Sequence, residues 1–288
     1  MGMPEPTDTD RNVMELCRYQ HSEFSAKVLL QPNGPSSWQR VMVVYPLDIS
    51  KPRPAVAVPF YYPEAMLGFD PANGQILPRF KGIEMMLHLV RRGYVVASAE
   101  AYHLTIHDSP KDRNDFSRWP DAAAALQSAH PNWTGIGKLV YDTKLLLDIL
   151  QQDPMVDSTR IGIAGHSLGG KMAFYTGCLD RRVKVILASD FGIGWDQTNW
   201  RDPWYWGDRV DDLICKGMDH SQLLSIAYPK AFCLLAGEAD NEQSLALIQK
   251  AKGYRLCDER ICFINHASGH RPPWDALQQG YDFLERWL

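Results

Sequence analysis

Long hydrophobic runs, paired cysteines and blocks of like charge are all missing from this sequence, and each absence excludes a class of protein. No apolar stretch approaches the eighteen or so residues that crossing a bilayer requires. Met1 to Arg11 is polar and acidic, without the positive and apolar regions of a secretory signal, so a flexible tail and no membrane partner are expected. The six cysteines (Cys17, Cys178, Cys215, Cys233, Cys257 and Cys262) include no C-x-x-C pair, which argues against a zinc finger. Several lie in apolar, strand-like runs where free thiols are commonly buried, and this points to a reducing, cytoplasmic setting. The net charge of -4 is spread along the chain, leaving no basic face for nucleic acid and no polybasic membrane anchor.

What is present is enough chain for one α/β domain. A chain of 288 residues buries about three-quarters of its unfolded surface and needs no disulfide or metal to hold it. Ala26–Leu30 and Trp38–Tyr45 read as short strands separated by the turn formers Gln31-Pro32-Asn33-Gly34-Pro35. Residues 55–60 form a continuous apolar run, as in a strand covered on both faces. From there strands and helices alternate. Helical spacing over Ile83–Arg92 stops at Gly93, and Tyr94–Ser98 reads as a strand. The amphipathic stretch Gly135–Leu150, the strand Arg160–Ala164 and the helix Lys171–Cys178 follow. Val183–Ala188, Ala231–Leu235 and Arg260–Ile264 are further strands, and Asp275–Trp287 is a closing helix. The alternation implies a mostly parallel central sheet with helices on both faces, mixed at its start. Residues 1–25 are expected as a leading tail, residues 26–288 as one domain, and about 191–228 as a cap-like insertion.

Gly165-His166-Ser167-Leu168-Gly169 matches G-x-S-x-G between a strand and a helix. In that place the serine hydroxyl projects from a sharp turn at the carboxyl edge of the sheet, and side chains at either glycine would collide with backbone. The amide of Leu168 would point at a developing oxyanion, assisted by the helix dipole. From Gly135-Ile136-Gly137-Lys138 through Arg160 to Tyr175, these residues resemble the bacterial esterases of the α/β-hydrolase superfamily, in its dienelactone-hydrolase-like and acetyl-xylan-esterase-like branches. The resemblance runs from about Pro54 to the end. Dienelactone hydrolases proper carry cysteine as nucleophile; this chain has Ser167, so their activity is not carried over.

A serine nucleophile needs a base, and the base needs a carboxylate to orient it. The resemblance implies Asp240, in its G-x-x-D setting, as the acid and His270, in its G-H-x-P setting, as the base. Glu238 and Asp190 stay open as the acid, and His266 as the base. An N-cap for the following helix is the plain structural role for Asp240. Where the superfamily usually has His-Gly, the chain reads Pro59-Phe60-Tyr61-Tyr62-Pro63, so the second oxyanion donor is expected to be the Tyr61 amide. Tyr62, His166, Trp195, Trp204 and Trp206 are candidate substrate contacts, the tryptophans either as a cap over Ser167 or as the core of a small subdomain.

His103 and His107, with Asp108, lack the glutamate of H-E-x-x-H, and Asp208, Asp211 and Asp212 lack calcium-loop spacing, so no metal and no cofactor are expected. The expected activity is hydrolysis of a carboxylic ester through an acyl-enzyme, on a small acylated carbohydrate or similar polar ester. An amidase or peptidase using the same triad, and a non-catalytic ligand-binding protein, are the alternatives.

Overall fold

The strand and helix signals resolve into a single nine-stranded sheet in the order β1-β2-β3-β5-β4-β6-β7-β8-β9. The structure, a computed structural model, describes residues 2–4, 12–35, 37–253 and 259–288. β1 (Met14–Gln20), β2 (Phe24–Pro32) and β3 (Trp38–Pro46) form an antiparallel meander, and β3 pairs antiparallel with β5 (Val95–Ala99). From β5 the sheet is parallel through β4 (Arg53–Ala57), β6 (Val156–His166), β7 (Val183–Ser189), β8 (Ala231–Ala236) and β9 (Ile261–Asn265). β4, β5 and β8 are almost entirely apolar, because helices cover both faces of a parallel sheet.

The helices are α1 (Pro63–Leu67), α2 (Met85–Arg91), α3 (Arg118–Ala129), α4 (Gly135–Gln152), α5 (Leu168–Leu179), α6 (Arg209–Cys215), α7 (His220–Ile226), α8 (Glu242–Gly253) and α9 (Trp274–Trp287). α4 begins at Thr134, whose side chain accepts the Gly137 amide as an N-cap. α5 is buried from Leu168 to Cys178, and full burial of a side chain such as Phe174 contributes roughly 1.5–3 kcal/mol. Such a helix cannot shift without unpacking the sheet, so its first turn is a rigid platform.

One expectation for the amino terminus changes. Met14–Gln20, assigned to the leading tail, pairs with β2 and ends the sheet. Its residues are exposed or half-exposed on both faces, so no alternating pattern marks it, and backbone pairing alone makes it a strand. The flexible tail expected over Met1–Arg11 lies outside the described residues at positions 1 and 5–11, whereas the Gly2 carbonyl accepts the Thr134 amide at 3.0 Å beside the start of α4. α3, an alanine-rich helix, is an element that hydrophobic spacing does not announce.

Candidate active site

The carboxyl ends of β6, β7, β8 and β9 lie side by side, so the loops leaving them meet above one edge of the sheet. At the end of β6, Ser167 has φ 56° and ψ −116°, a strained conformation costing on the order of 1–3 kcal/mol. The neighbouring glycines make it possible. A Cβ on Gly165 would lie 2.1 Å from the Gly169 carbonyl oxygen, and one on Gly169 would lie 2.2 Å from the Pro59 carbonyl oxygen. The Ser167 amide donates to the Ser189 carbonyl at 2.8 Å, which ties the elbow to the end of β7.

Ser167 Oγ lies 3.0 Å from Nε2 of His270, on the loop after β9. Nδ1 of the same ring donates to Oδ2 of Asp190 at 2.6 Å. Asp190 immediately follows β7, has φ 42°, and is wholly buried. Burial pushes its carboxyl up, but the His270 ring and the amides of Asp240 and Gly237 outweigh that and hold it below the usual carboxylate range. Imidazole is therefore set between a hydroxyl and an ionised carboxylate, the arrangement that activates a serine.

Asp240, the acid implied by resemblance, is not the His270 partner. Its carboxylate turns to the Phe191, Gly192 and Ile193 amides and to Ser244 Oγ. The nearer carboxylate is Asp190, one strand earlier. Glu238 is exposed, and His266 Nδ1 faces Ser268 Oγ at 2.8 Å rather than Ser167.

Leu168 is the first residue of α5, so its amide has no intrahelical acceptor. The Pro59–Tyr61 turn packs directly on Gly169, and among the described hydrogen bonds the Tyr61 amide donates to none. His166 is buried, faces Ser189 Oγ at 3.1 Å and packs against the His270 ring at 4.6 Å; burial drives it down to about 3, leaving it neutral. It packs behind the His270 ring and is absent from the cleft lining.

The cleft above Ser167 has a volume of about 280 Å³. Its aromatic lining is Tyr61, Phe116, Trp119, Trp204 and Tyr205, and its polar lining includes Thr198, Asn199 and Lys171. Trp204 thus lines the cleft, whereas Trp195 and Trp206 are half-buried and pack against the core away from it. Trp195 packs on His220 at 4.1 Å, and Trp206 Nε1 donates to the Tyr175 hydroxyl at 3.0 Å. Tyr62 is buried against Asn114 and the Arg113 guanidinium, away from the serine. The interval 191–228, with α6 and α7, therefore serves both as subdomain core and as cleft wall.

Lys171 is the residue the motif reading passed over. It stands one turn after Ser167 and is nearly inaccessible. Its ammonium donates to Asn199 Oδ1 at 2.8 Å and sits over the Trp200 and Tyr205 rings at 4.4 and 4.2 Å. Burial lowers it to about 7, partly offset by Asp202 and Asp240. The available signal was a lysine within an otherwise apolar helix. Trp119 went unseen because α3 was unseen, and Phe116 lies in the turn just before it.

Among the described residues no group of three or more His, Cys, Asp and Glu side chains could hold a metal. His103 is buried against Trp119, and His107 is exposed. No helix among the described residues is long and apolar enough to cross a membrane.

A serine on a strand-to-helix elbow, a histidine after the last strand and a mostly parallel sheet define an α/β-hydrolase. Residues 76–189, which include the elbow, match the dienelactone hydrolase family. The Bacillus subtilis (strain 168) protein YtaP is 27% identical over 167 residues, covering 53% of this chain and 54% of YtaP, so the chain matches about half the length of that curated relative. Among solved structures, a glucuronoyl esterase from Solibacter usitatus aligns with TM-score 0.71 at 14% identity, over 99% of this chain and 88% of that one. A glucuronoyl esterase from Teredinibacter turnerae aligns with TM-score 0.70 at 16% identity, over 100% of this chain and 81% of that one. At those identities the likeness is one of fold.

Proposed function

We propose that the chain is a serine carboxylic-ester hydrolase acting through an acyl-enzyme. The observation that carries the reading is the single imidazole of His270, 3.0 Å from Ser167 Oγ on one side and 2.6 Å from the buried Asp190 carboxylate on the other. Ser167 Oγ attacks the ester carbonyl as His270 Nε2 takes its proton. The proton then passes to the departing alkoxide, leaving an acyl-serine and a free alcohol. Water, deprotonated by the same ring, attacks the acyl-serine and releases the acid. Asp190 keeps the Nδ1 proton in place and steadies the imidazolium. The amides of Leu168 and Tyr61 hold the oxyanion, and each such donor is worth about 3 kcal/mol of barrier.

The cleft favours a small polar ester, such as an acylated sugar. Its lining combines the polar side chains of Thr198 and Asn199 with the flat ring of Trp204. Esterase structures of the same fold, among them glucuronoyl esterases, are compatible with an ester that carries a sugar unit.

The test is labelling with a fluorophosphonate together with hydrolysis of a short-chain p-nitrophenyl ester. Wild-type protein labels at Ser167 and turns over, and Ser167→Ala does neither while keeping its far-ultraviolet dichroism. Turnover unchanged in Ser167→Ala refutes the assignment. An acetylated xylo-oligosaccharide should be a better substrate than an aliphatic ester of equal size, and the reverse order refutes the substrate class.

A further inference from the structure

Asp240 is an anomaly that the reaction leaves unexplained. It is fully buried, and a buried carboxylate is costly unless donors surround it. Burial, with the nearby Asp190 charge, holds its carboxyl above the usual carboxylate range, although the amides of Ile193 and Gly192 and the Ser244 hydroxyl work against that. All four of its partners are donors, as a deprotonated carboxylate requires.

The identity of those donors is informative. Phe191, Gly192 and Ile193 are the three residues directly after Asp190, and their amides reach Asp240 at 2.8, 2.9 and 2.7 Å. In the other direction, Asp190 Oδ1 accepts the amides of Gly237, Ala239 and Asp240 itself at 3.0, 2.9 and 3.0 Å. Each aspartate thus holds the turn that carries the other. Ser244 Oγ closes the arrangement on Asp240 Oδ1 at 2.8 Å and is itself held by Gln197 Nε2 at 2.9 Å.

Asp190 needs such holding. A non-glycine residue at φ 42° is strained by roughly 1–3 kcal/mol, and a strained conformer persists only where its surroundings over-determine it. The amide of Asp190 is anchored to the Leu235 carbonyl at 2.8 Å, which secures the residue on its amino-terminal side. On the carboxyl-terminal side the three amides that follow are all gripped by Asp240. Released there, the chain could relax toward negative φ and swing Oδ2 away from His270.

We propose that Asp240 is a positioning residue: its carboxylate clamps the turn at 191–193, so that Asp190 keeps its left-handed backbone and its Oδ2 on His270 Nδ1. The inference rests on the assignment of Ser167, His270 and Asp190 as the reacting set. It gives the residue that resembles the family's acid a different duty, one that acts through a neighbouring strand.

The experiment compares Asp240→Asn, which removes the charge and one acceptor oxygen, with Ser244→Ala, which keeps the carboxylate and removes one of its four tethers. In Asp240→Asn, kcat on a p-nitrophenyl ester falls about 10- to 100-fold, as for other partners that orient a reacting group. KM changes by less than about twofold, because binding is not what the clamp controls. The acid limb of the kcat/KM profile moves to lower pH, since a loosened Asp190 favours the imidazolium less. Ser244→Ala shifts both quantities the same way by a smaller amount, and it decides the question if Asp240→Asn fails to fold. Wild-type kcat and pH profile in the folded variants overturn the proposal, as does a lowered kcat with an unmoved profile, which is the mark of a purely structural part. Asp190→Asn retaining the activity that Asp240→Asn loses also overturns it, because Asp240 would then be the acid. Fluorophosphonate labelling of the wild-type protein is read alongside: its absence defeats the hydrolase reading itself, whereas unchanged variants of a labelled enzyme defeat only the clamp.

Discussion

The elbow at 165–169 and the paired turns after β7 and β8 lie at one edge of the same sheet, yet their geometry has different origins. At the elbow, most of what places Ser167 is local: two glycines without Cβ atoms, one strand before and one helix after, with a single long-range bond to the Ser189 carbonyl. At the acidic turns little is local. Six amide-to-carboxylate bonds join residues 47 to 50 positions apart and hold the two turns together. A motif reports the first kind of site well and the second poorly.

The sharpest way to break the comparison is at the elbow. Ser167→Ala is expected to reduce kcat by about 10⁴-fold or more with no loss of fold, since the remaining groups only bind and polarise. Burst kinetics and thermal melting check both halves. Next in size is Gly169→Ala, whose new Cβ would lie 2.2 Å from the Pro59 carbonyl oxygen. Relief of that clash must shift backbone on both sides of the oxyanion site, so activity should fall at least about 100-fold, with a stability loss of about 1–3 kcal/mol. A fully active variant would show that the local account of the elbow is wrong.

Lys171→Met sharpens the comparison from inside the cleft. The folded state holds this amine at about 7, below its ordinary 10.5, so it opposes folding most strongly below pH 7 and progressively less as pH rises towards 10.5. The variant should melt higher than wild type at pH 6, by about 2–4 °C for each kcal/mol relieved, and the gain should shrink towards pH 10. On a polar ester kcat/KM should fall about tenfold, a trade common at functional sites. A lower melting temperature at pH 6 would contradict the burial argument.

The remaining prediction concerns acid stability rather than activity. His103 and His166 are held at about 3 and His220 at about 4 by burial, against an ordinary 6.5. Below pH 6.5 the unfolded chain takes up protons that the folded one refuses, so stability falls as pH drops from 6.5 towards 4; each unit of displacement is worth about 1.4 kcal/mol per group. Melting temperatures at pH 7.5, 5.5 and 4.5 should decline in order, and a flat series would contradict the neutral, buried assignment.

Much of the fold was legible because parallel strands announce themselves as short apolar runs, and each strand of the catalytic half was readable within a few residues. β1 was not, since it buries neither face, and α3 was not, since its alanines give weak periodicity. At the site, Ser167 and His270 were nameable from their local settings and the structure brings them together. The choice among Asp240, Glu238 and Asp190 turned on long-range hydrogen bonds that no spacing encodes. Lys171, Trp119 and Asn199 were hidden because a cleft is assembled from helices and loops distant in sequence. The tryptophans after β7 divided between cleft and core according to which face of the insertion each occupies, again a tertiary fact.

The central claim, that Ser167 is activated by His270 held on Asp190, is tested most directly by kcat/KM for Asp190→Asn on a p-nitrophenyl ester at pH 7.5. A fall of about 10⁴-fold, with the fold intact, is the expected result. Activity within tenfold of wild type would contradict it.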